Sequence, residues 1–197
     1  MKKLLLYGSL IALLVIAVMA YNIASHAPTP ANISADSVSS QPWQPSRLQI
    51  SAIHVDAPII FVGKTASGVM DAPVSKAINS PYWSSVFWYD LGAAPGQNGN
   101  AVIAGHVNRV GGDPAIFWYL KDLAPGDTIS IVTLGGTTLR FVVNRVVSYP
   151  ADAPGPQVIN AVFGPTGGHH LNLITCNGVW TGHGYDQRLV VFTTQVS

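Results

Sequence analysis

The chain holds a single cysteine, Cys176, which closes the apolar run Leu171-Asn172-Leu173-Ile174-Thr175-Cys176. A second run of the same character, Ala101-Val102-Ile103-Ala104-Gly105, ends on His106; a third, Arg188-Leu189-Val190-Val191-Phe192, opens on an arginine. A thiol, an imidazole and a guanidinium, each at the tip of a predicted β-strand, supply a nucleophile, an acid/base and an anion stabiliser. Thiolate, not thiol, attacks a carbonyl carbon. A neighbouring imidazole takes the thiol proton and later delivers it to a leaving amine. The tetrahedral intermediate carries negative charge on oxygen, which a fixed guanidinium, with or without a backbone N–H, stabilises. Thr175 stands where it can hydrogen-bond substrate or steady the thiol, and Asn177 is the second candidate for substrate contact.

Each group also has a plainer reading. Free cysteine is commonly a core residue, His106 alone fits a satisfied strand-end histidine, and Arg188 alone fits a solvated strand terminus. Arg140 and Arg145 compete for the anion role, although simple alternation would send them to opposite strand faces. Asn108 sits poorly for orienting the imidazole, on the same turn. Asp186 either tethers Arg188 or faces water. His54, His169, His170 and His183 offer imidazoles to a metal, but no Cys pair or HExxH spacing accompanies them. They read as surface or turn histidines, and neither metal nor cofactor is expected. Trp83, Phe87, Trp88, Trp118 and Tyr119 read as core or rim aromatics.

The elements that must position the trio follow from the pattern. Alternation sets Asn172, Ile174 and Cys176 on one strand face and Leu171, Leu173 and Thr175 on the other. Cys176 precedes Asn177-Gly178, which reads as a turn, so the thiol is expected at a strand end. An antiparallel return over Arg188 to Gln195 brings the guanidinium to the same rim. The strand ending before His106 completes the group if it runs parallel beside the Cys176 strand. Upstream, Arg47 to Ile53 and Ala57 to Val62 read as strands, the second opening at an edge or bulge because of Pro58. Asn79 to Trp83 reads as loop or short helix, and Gly92 to Asn100 as turn. Asp113-Pro114 predicts a helical turn running to Leu120, with Asp113 as cap. Asp127 to Leu134 and Leu139 to Ser148 read as a hairpin around Gly135-Gly136. Residues 149–168 are rich in Pro and Gly and too long for a tight turn, which makes them a candidate substrate loop.

Composition sets the frame. Lys2-Lys3 precede a stretch from Leu4 to Ala24 without a charged residue, long enough to cross a bilayer as a helix. Positive charge before it predicts an N-terminus inside and the rest exported. A cleavable signal peptide is the alternative, with small-x-small spacing at Val18-Met19-Ala20 or Ser25-His26-Ala27, but the apolar run exceeds a usual signal core. The expected organisation is a membrane anchor over residues 1–24, a Pro/Ser-rich linker over 25–45 and one catalytic domain over 46–197. Gly, Pro and runs of Val, Ile, Thr and aromatics make that domain all-β with many turns. Charge is nearly balanced, 10 Lys+Arg against 9 Asp+Glu with no Glu at all. No basic stripe points to nucleic acid and no acidic cluster to calcium. One unpaired cysteine outside the cell forms no internal disulfide.

The segments Ala104-Gly105-His106-Val107, Leu173-Ile174-Thr175-Cys176 and Arg188-Leu189-Val190-Val191 together resemble the sortase family, membrane-anchored cysteine transpeptidases of Gram-positive bacteria. The similarity spans essentially the whole exported domain. Asp56-Ala57-Pro58-Ile59, Pro95-Gly96-Gln97-Asn98-Gly99-Asn100 and Leu123-Ala124-Pro125-Gly126-Asp127 look most like the class F group. The resemblance implies a closed eight-stranded β-barrel with short helices and long loops. It implies Cys176 as nucleophile, His106 as acid/base and Arg188 as oxyanion or substrate stabiliser. A groove between residues 149–168 and 177–187 would hold a Leu-Pro-x-Thr-Gly-type sorting signal. The thioacyl group would pass to a primary amine, such as one on a peptidoglycan precursor, at the outer face of the cell membrane. The family often has Thr at Asn172. Gln41-Pro42-Trp43 lacks the Asp of the lid anchor in pilin-assembling members, and no apolar tail precedes Ser197, which points away from pilus polymerisation. Two rivals stay open: a cysteine endopeptidase with water as acceptor, and a non-enzymatic tethered barrel that binds envelope ligands with Cys176 as core filler.

Overall fold

Alternating apolar residues and frequent turn chemistry fold this sequence into strands with one face inward. The computed structural model describes residues 41–152 and 155–197. Its strands are β1 (Pro45–Ile50), β2 (Val55–Val62), β3 (Val86–Tyr89), β4 (Gly99–Ala104), β5 (Thr128–Thr133), β6 (Thr138–Pro150), β7 (His169–Trp180) and β8 (Tyr185–Val196). They form a closed barrel in the order β1-β2-β3-β4-β7-β8-β6-β5, as the resemblance implied. β2 with β3 and β4 with β7 are parallel pairs. Parallel neighbours need long crossovers, hence the extended β2–β3 connection and the elements inserted between β4 and β7. The expected membrane anchor and nearly all of the linker lie outside the described residues. Among the described residues no helix is long and apolar enough to cross a membrane.

Leu48, Ile50, Ile103, Ile131, Phe141 and Leu173 are fully buried inside the barrel. Each such side chain contributes about 1.5–3 kcal/mol relative to exposure. The salt bridge Arg47–Asp56, 2.6 Å long, has side chains 46% and 53% exposed and adds little beside that packing. The Arg47 hydrogen bond does hold the Asp56 carboxyl below the usual carboxylate range.

A second apolar cluster lies on the outer face, where Val102, Val190 and Phe192 meet Val162 of the helix α1 (Pro156–Phe163). Two strand asparagines hold this helix. Asn172 Nδ2 donates to the Val162 carbonyl at 2.8 Å, and Asn100 Nδ2 donates to the Gly164 carbonyl at 2.9 Å. The last carbonyls of a helix have no intrahelical donor; these amides supply one.

Several sequence expectations change. The first predicted strand ends at Ile50 and gives way to a 3-10 turn at Ser51–Ile53. Asp113-Pro114 does not start a helical turn. Gly111 and Gly112 take positive φ, the chain folds back, and Pro114 bridges to Asn108; the 3-10 turn comes later, at Leu120–Asp122. Residues 149–168 are not all loop, since β6 runs to Pro150 and α1 follows. The described start of the chain packs at the β5–β6 turn, where the Gly135 N–H donates to the Pro42 carbonyl at 2.8 Å. That turn is at the opposite end of β6 from Tyr149, which pairs with Arg188.

Candidate active site

Cys176 is a direct register partner of Arg188, and Arg188 of Tyr149, so one row crosses β7, β8 and β6. Direct partners share a sheet face. It is the outer one, because Ile174, Val190 and Val147, two residues away on each strand, belong to the outer cluster. The thiol is half-buried there. Asn177-Gly178 does not end the strand, as the turn reading expected. Gly178 adopts φ 86° and makes a bulge, after which the ladder resumes at Trp180↔Tyr185. The Asp186 carboxylate accepts the Val179 N–H at 2.7 Å inside this bulge, rather than tethering Arg188.

On the other side of β7, Ala104 is level with Ile174, and His106 follows two residues after the end of β4. Two bonds fix this junction: Gly105 N–H donates to the Ile174 carbonyl at 3.0 Å, and the buried Thr175 hydroxyl donates to the Gly105 carbonyl at 2.8 Å. The imidazole packs against Trp83 and Phe87, with ring centroids 4.9 and 5.4 Å away in edge-on geometry. Its Nε2 meets the Pro73 carbonyl at 2.8 Å. Trp83 and Phe87 are thus core aromatics, as read from the sequence, and also the walls of the imidazole's seat. Pro73 had no signal in the sequence, since a backbone carbonyl carries none.

Gly105 has a steric reason to be glycine. A Cβ there would run into the fully buried Phe117 ring. Overpacking of this kind costs about 1–3 kcal/mol. Gly105→Ala is therefore expected to lower the free energy of unfolding by that amount and to displace His106. Native stability in a denaturant titration would contradict the packing account.

Arg188 curls toward the start of its own strand, its Nη1 donating to the Tyr185 and Gln187 carbonyls at 3.0 and 2.9 Å. The rival arginines need a correction. A bulge between Val143 and Arg145 resets the alternation, so Arg140 and Arg145 both face outward. Arg145 lies over the Phe192 ring at 3.7 Å and donates to the Tyr149 hydroxyl at 3.4 Å. Asn108 turns its amide to the Arg109 carbonyl and away from the imidazole. Asn177 donates to the Ser148 hydroxyl at 2.8 Å. Among the described residues no group of three or more His, Cys or Asp side chains is arranged to hold a metal ion.

A cleft of about 180 Å³ reaches the thiol, lined by Val107, Trp118, Lys121, Asn177 and Tyr185 among others, with Thr175 at its wall. Neither His106 nor Arg188 lines it. It is bounded by the segment after His106 and the β7–β8 ladder, and not by residues 149–168 as expected. Those residues shape a separate open hollow along α1, lined by Ile159 and Phe163.

A family model described as the sortase domain matches residues 48–196, the barrel from Leu48 of β1 onward. The chain belongs to the sortase family. Solved sortases share its fold. Sortase C-1 of Actinomyces oris is 23% identical with a TM-score of 0.56, covering 78% of this chain and 76% of that one. A lid mutant of sortase A from Corynebacterium diphtheriae is 21% identical with a TM-score of 0.57, covering 78% and 70%. The sortase D5 transpeptidase of Clostridium perfringens is 19% identical with a TM-score of 0.54, covering 78% and 79%. At these identities the likeness is one of fold. A search of curated proteins finds no match.

Proposed function

We propose that this sortase is a class F-like cysteine transpeptidase that cleaves a Leu-Pro-x-Thr-Gly-type sorting signal after its Thr. The Cys176 sulfur attacks the Thr carbonyl carbon once His106 has taken the thiol proton. The imidazolium then returns that proton to the leaving glycine amine, and a thioacyl-enzyme remains. A primary amine, such as one on a peptidoglycan precursor, attacks the thioester, His106 takes the proton that the amine loses, and the C–S bond breaks to release the Cys176 thiolate. Arg188 stabilises the oxyanion in both steps. Residues 1–24 anchor the chain in the cell membrane as a single span, residues 25–45 act as spacer, and the barrel works outside.

The observation that carries this reading is the outer-face pairing of Cys176 with Arg188 across β7 and β8, with His106 following two residues after the end of β4, the parallel neighbour of β7 on its other side. A half-buried thiol on that face is reachable by a peptide, whereas a core-filling cysteine would point inward beside Leu171 and Leu173. Thr175 and Asn177, both bordering the cleft at the thiol, are the residues proposed to touch substrate.

Mass spectrometry after incubation with a sorting-peptide library tests the reading. The expected result is an acyl adduct on Cys176 that an added amine converts to a transpeptidation product. No adduct with any peptide would overturn it. Free acid as the sole product, under every amine tried, would make the protein an endopeptidase instead.

A further inference from the structure

We propose that the backbone carbonyl of Pro73 is a positioning acceptor that fixes the tautomer of His106, leaving Nδ1 as the ring atom that exchanges a proton with Cys176. This rests on the reading of His106 as the acid/base. A carbonyl oxygen has no proton to give, so its 2.8 Å approach to Nε2 is attractive only when Nε2 carries the hydrogen. That holds for the imidazolium and for one neutral tautomer alone. In that tautomer the lone pair is on Nδ1. The thiol proton moves to Nδ1, giving thiolate and an imidazolium protonated on both nitrogens. The Nδ1 proton then leaves with the amine, and Nε2–H stays on Pro73 throughout. The second hydrogen bond of a histidine commonly decides which nitrogen reacts.

The segment that leads to the acceptor is closed by backbone contacts. Lys64 bridges to Met70, the Thr65 N–H donates to the Val69 carbonyl, and the Asp71 N–H donates to the Gly63 carbonyl at 3.0 Å. Met70 also packs into the outer apolar cluster. This small looped hairpin delivers Pro73 over the imidazole, and Trp83 and Phe87 fix the ring from the sides. Trp83 is itself pinned by its indole N–H, which donates to the Ala77 carbonyl at 2.8 Å. The β2–β3 crossover is therefore part of the site, although it contributes no reactive side chain.

The carbonyl can be weakened without changing a side chain. Incorporating 2-hydroxyisovaleric acid at position 74 turns the Pro73–Val74 amide into an ester, whose carbonyl is a poorer acceptor. Val74 is 71% exposed, and among the described residues its N–H donates to nothing, so the lost donor carries no other bond. The full-length protein and its ester form are compared by 15N NMR of the neutral imidazole and by the rate of thioacylation with a sorting peptide. The native protein is expected to show His106 protonated at Nε2. The ester form is expected to show a mixed tautomer population and thioacylation slowed by about 3–10-fold, the scale of one hydrogen bond. Protonation at Nδ1 in the native protein overturns the proposal, as does an unchanged rate or an unchanged tautomer in the ester form. His106→Gln separates the two levels of the claim. If that variant acylates at the native rate, the acid/base reading itself fails; if it is inactive while the ester form is unaffected, only the role of Pro73 fails.

Discussion

Replacing Cys176 by Ala is expected to abolish the acyl adduct and to lower turnover by about 10⁴-fold or more, the scale seen when a nucleophile is removed from a covalent mechanism. Its stability should hardly move. The thiol is half-buried on the outer face, the interior face at that level is filled by Thr175 and Leu189, and the substitution removes one sulfur from a partly solvated position. Changes away from core, cap and buried polar features are usually within about 0.5 kcal/mol. The measurement is paired: peptide turnover, and a denaturation midpoint on the same preparation. Full stability with no activity is the signature of a lost nucleophile. A core filler would give the reverse, a destabilised protein that still performs its function. Labelling adds a check, since thiol reagents should modify the folded wild-type domain; failure to label it would remove the sulfur from the chemistry.

The parts of this site that were legible in the sequence are those where side-chain type and strand alternation suffice. The runs ending at His106 and Cys176 and opening at Arg188 are strands, the parallel arrangement of β4 and β7 is as required, and Cys176 faces away from Leu171 and Leu173. What alternation missed are the places where it is interrupted. Gly178 inserts a bulge, so Asn177-Gly178 looked like a turn although pairing continues to Trp180. The bulge before Arg145 puts Arg140 and Arg145 on one face instead of two. In both places a single extra residue interrupts the two-residue repeat of the strand. Asn172 did carry a usable signal, because asparagine is depleted within strands, and a buried one needs a partner such as the end of α1. Contacts made by backbone atoms across long sequence separations, Pro73 to His106 above all, leave no mark in residue type.

The substitution Arg188→Lys keeps the charge and is nonetheless expected to slow turnover by about 10²–10³-fold, the effect of losing one oxyanion donor. The reason lies in how the guanidinium is held. Its Nη1 is committed to the Tyr185 and Gln187 carbonyls, which fixes the plane of the group and leaves the Nε and Nη2 hydrogens for an anion. A lysine ammonium is one rotatable point of donors. It can satisfy the strand carbonyls or reach toward the thiol, not both in a fixed geometry. The loss should therefore fall on kcat more than on KM, as expected when an interaction strengthens in the transition state. Arg145→Ala is the control, because that guanidinium shares the outer face but is stacked on Phe192. It should leave kcat within a few-fold of native. If Arg188→Lys turns over near the native rate, or Arg145→Ala is the more damaged of the two, the anion-stabilising role does not belong to Arg188. The register pairing with Cys176 would then be a feature of the sheet alone.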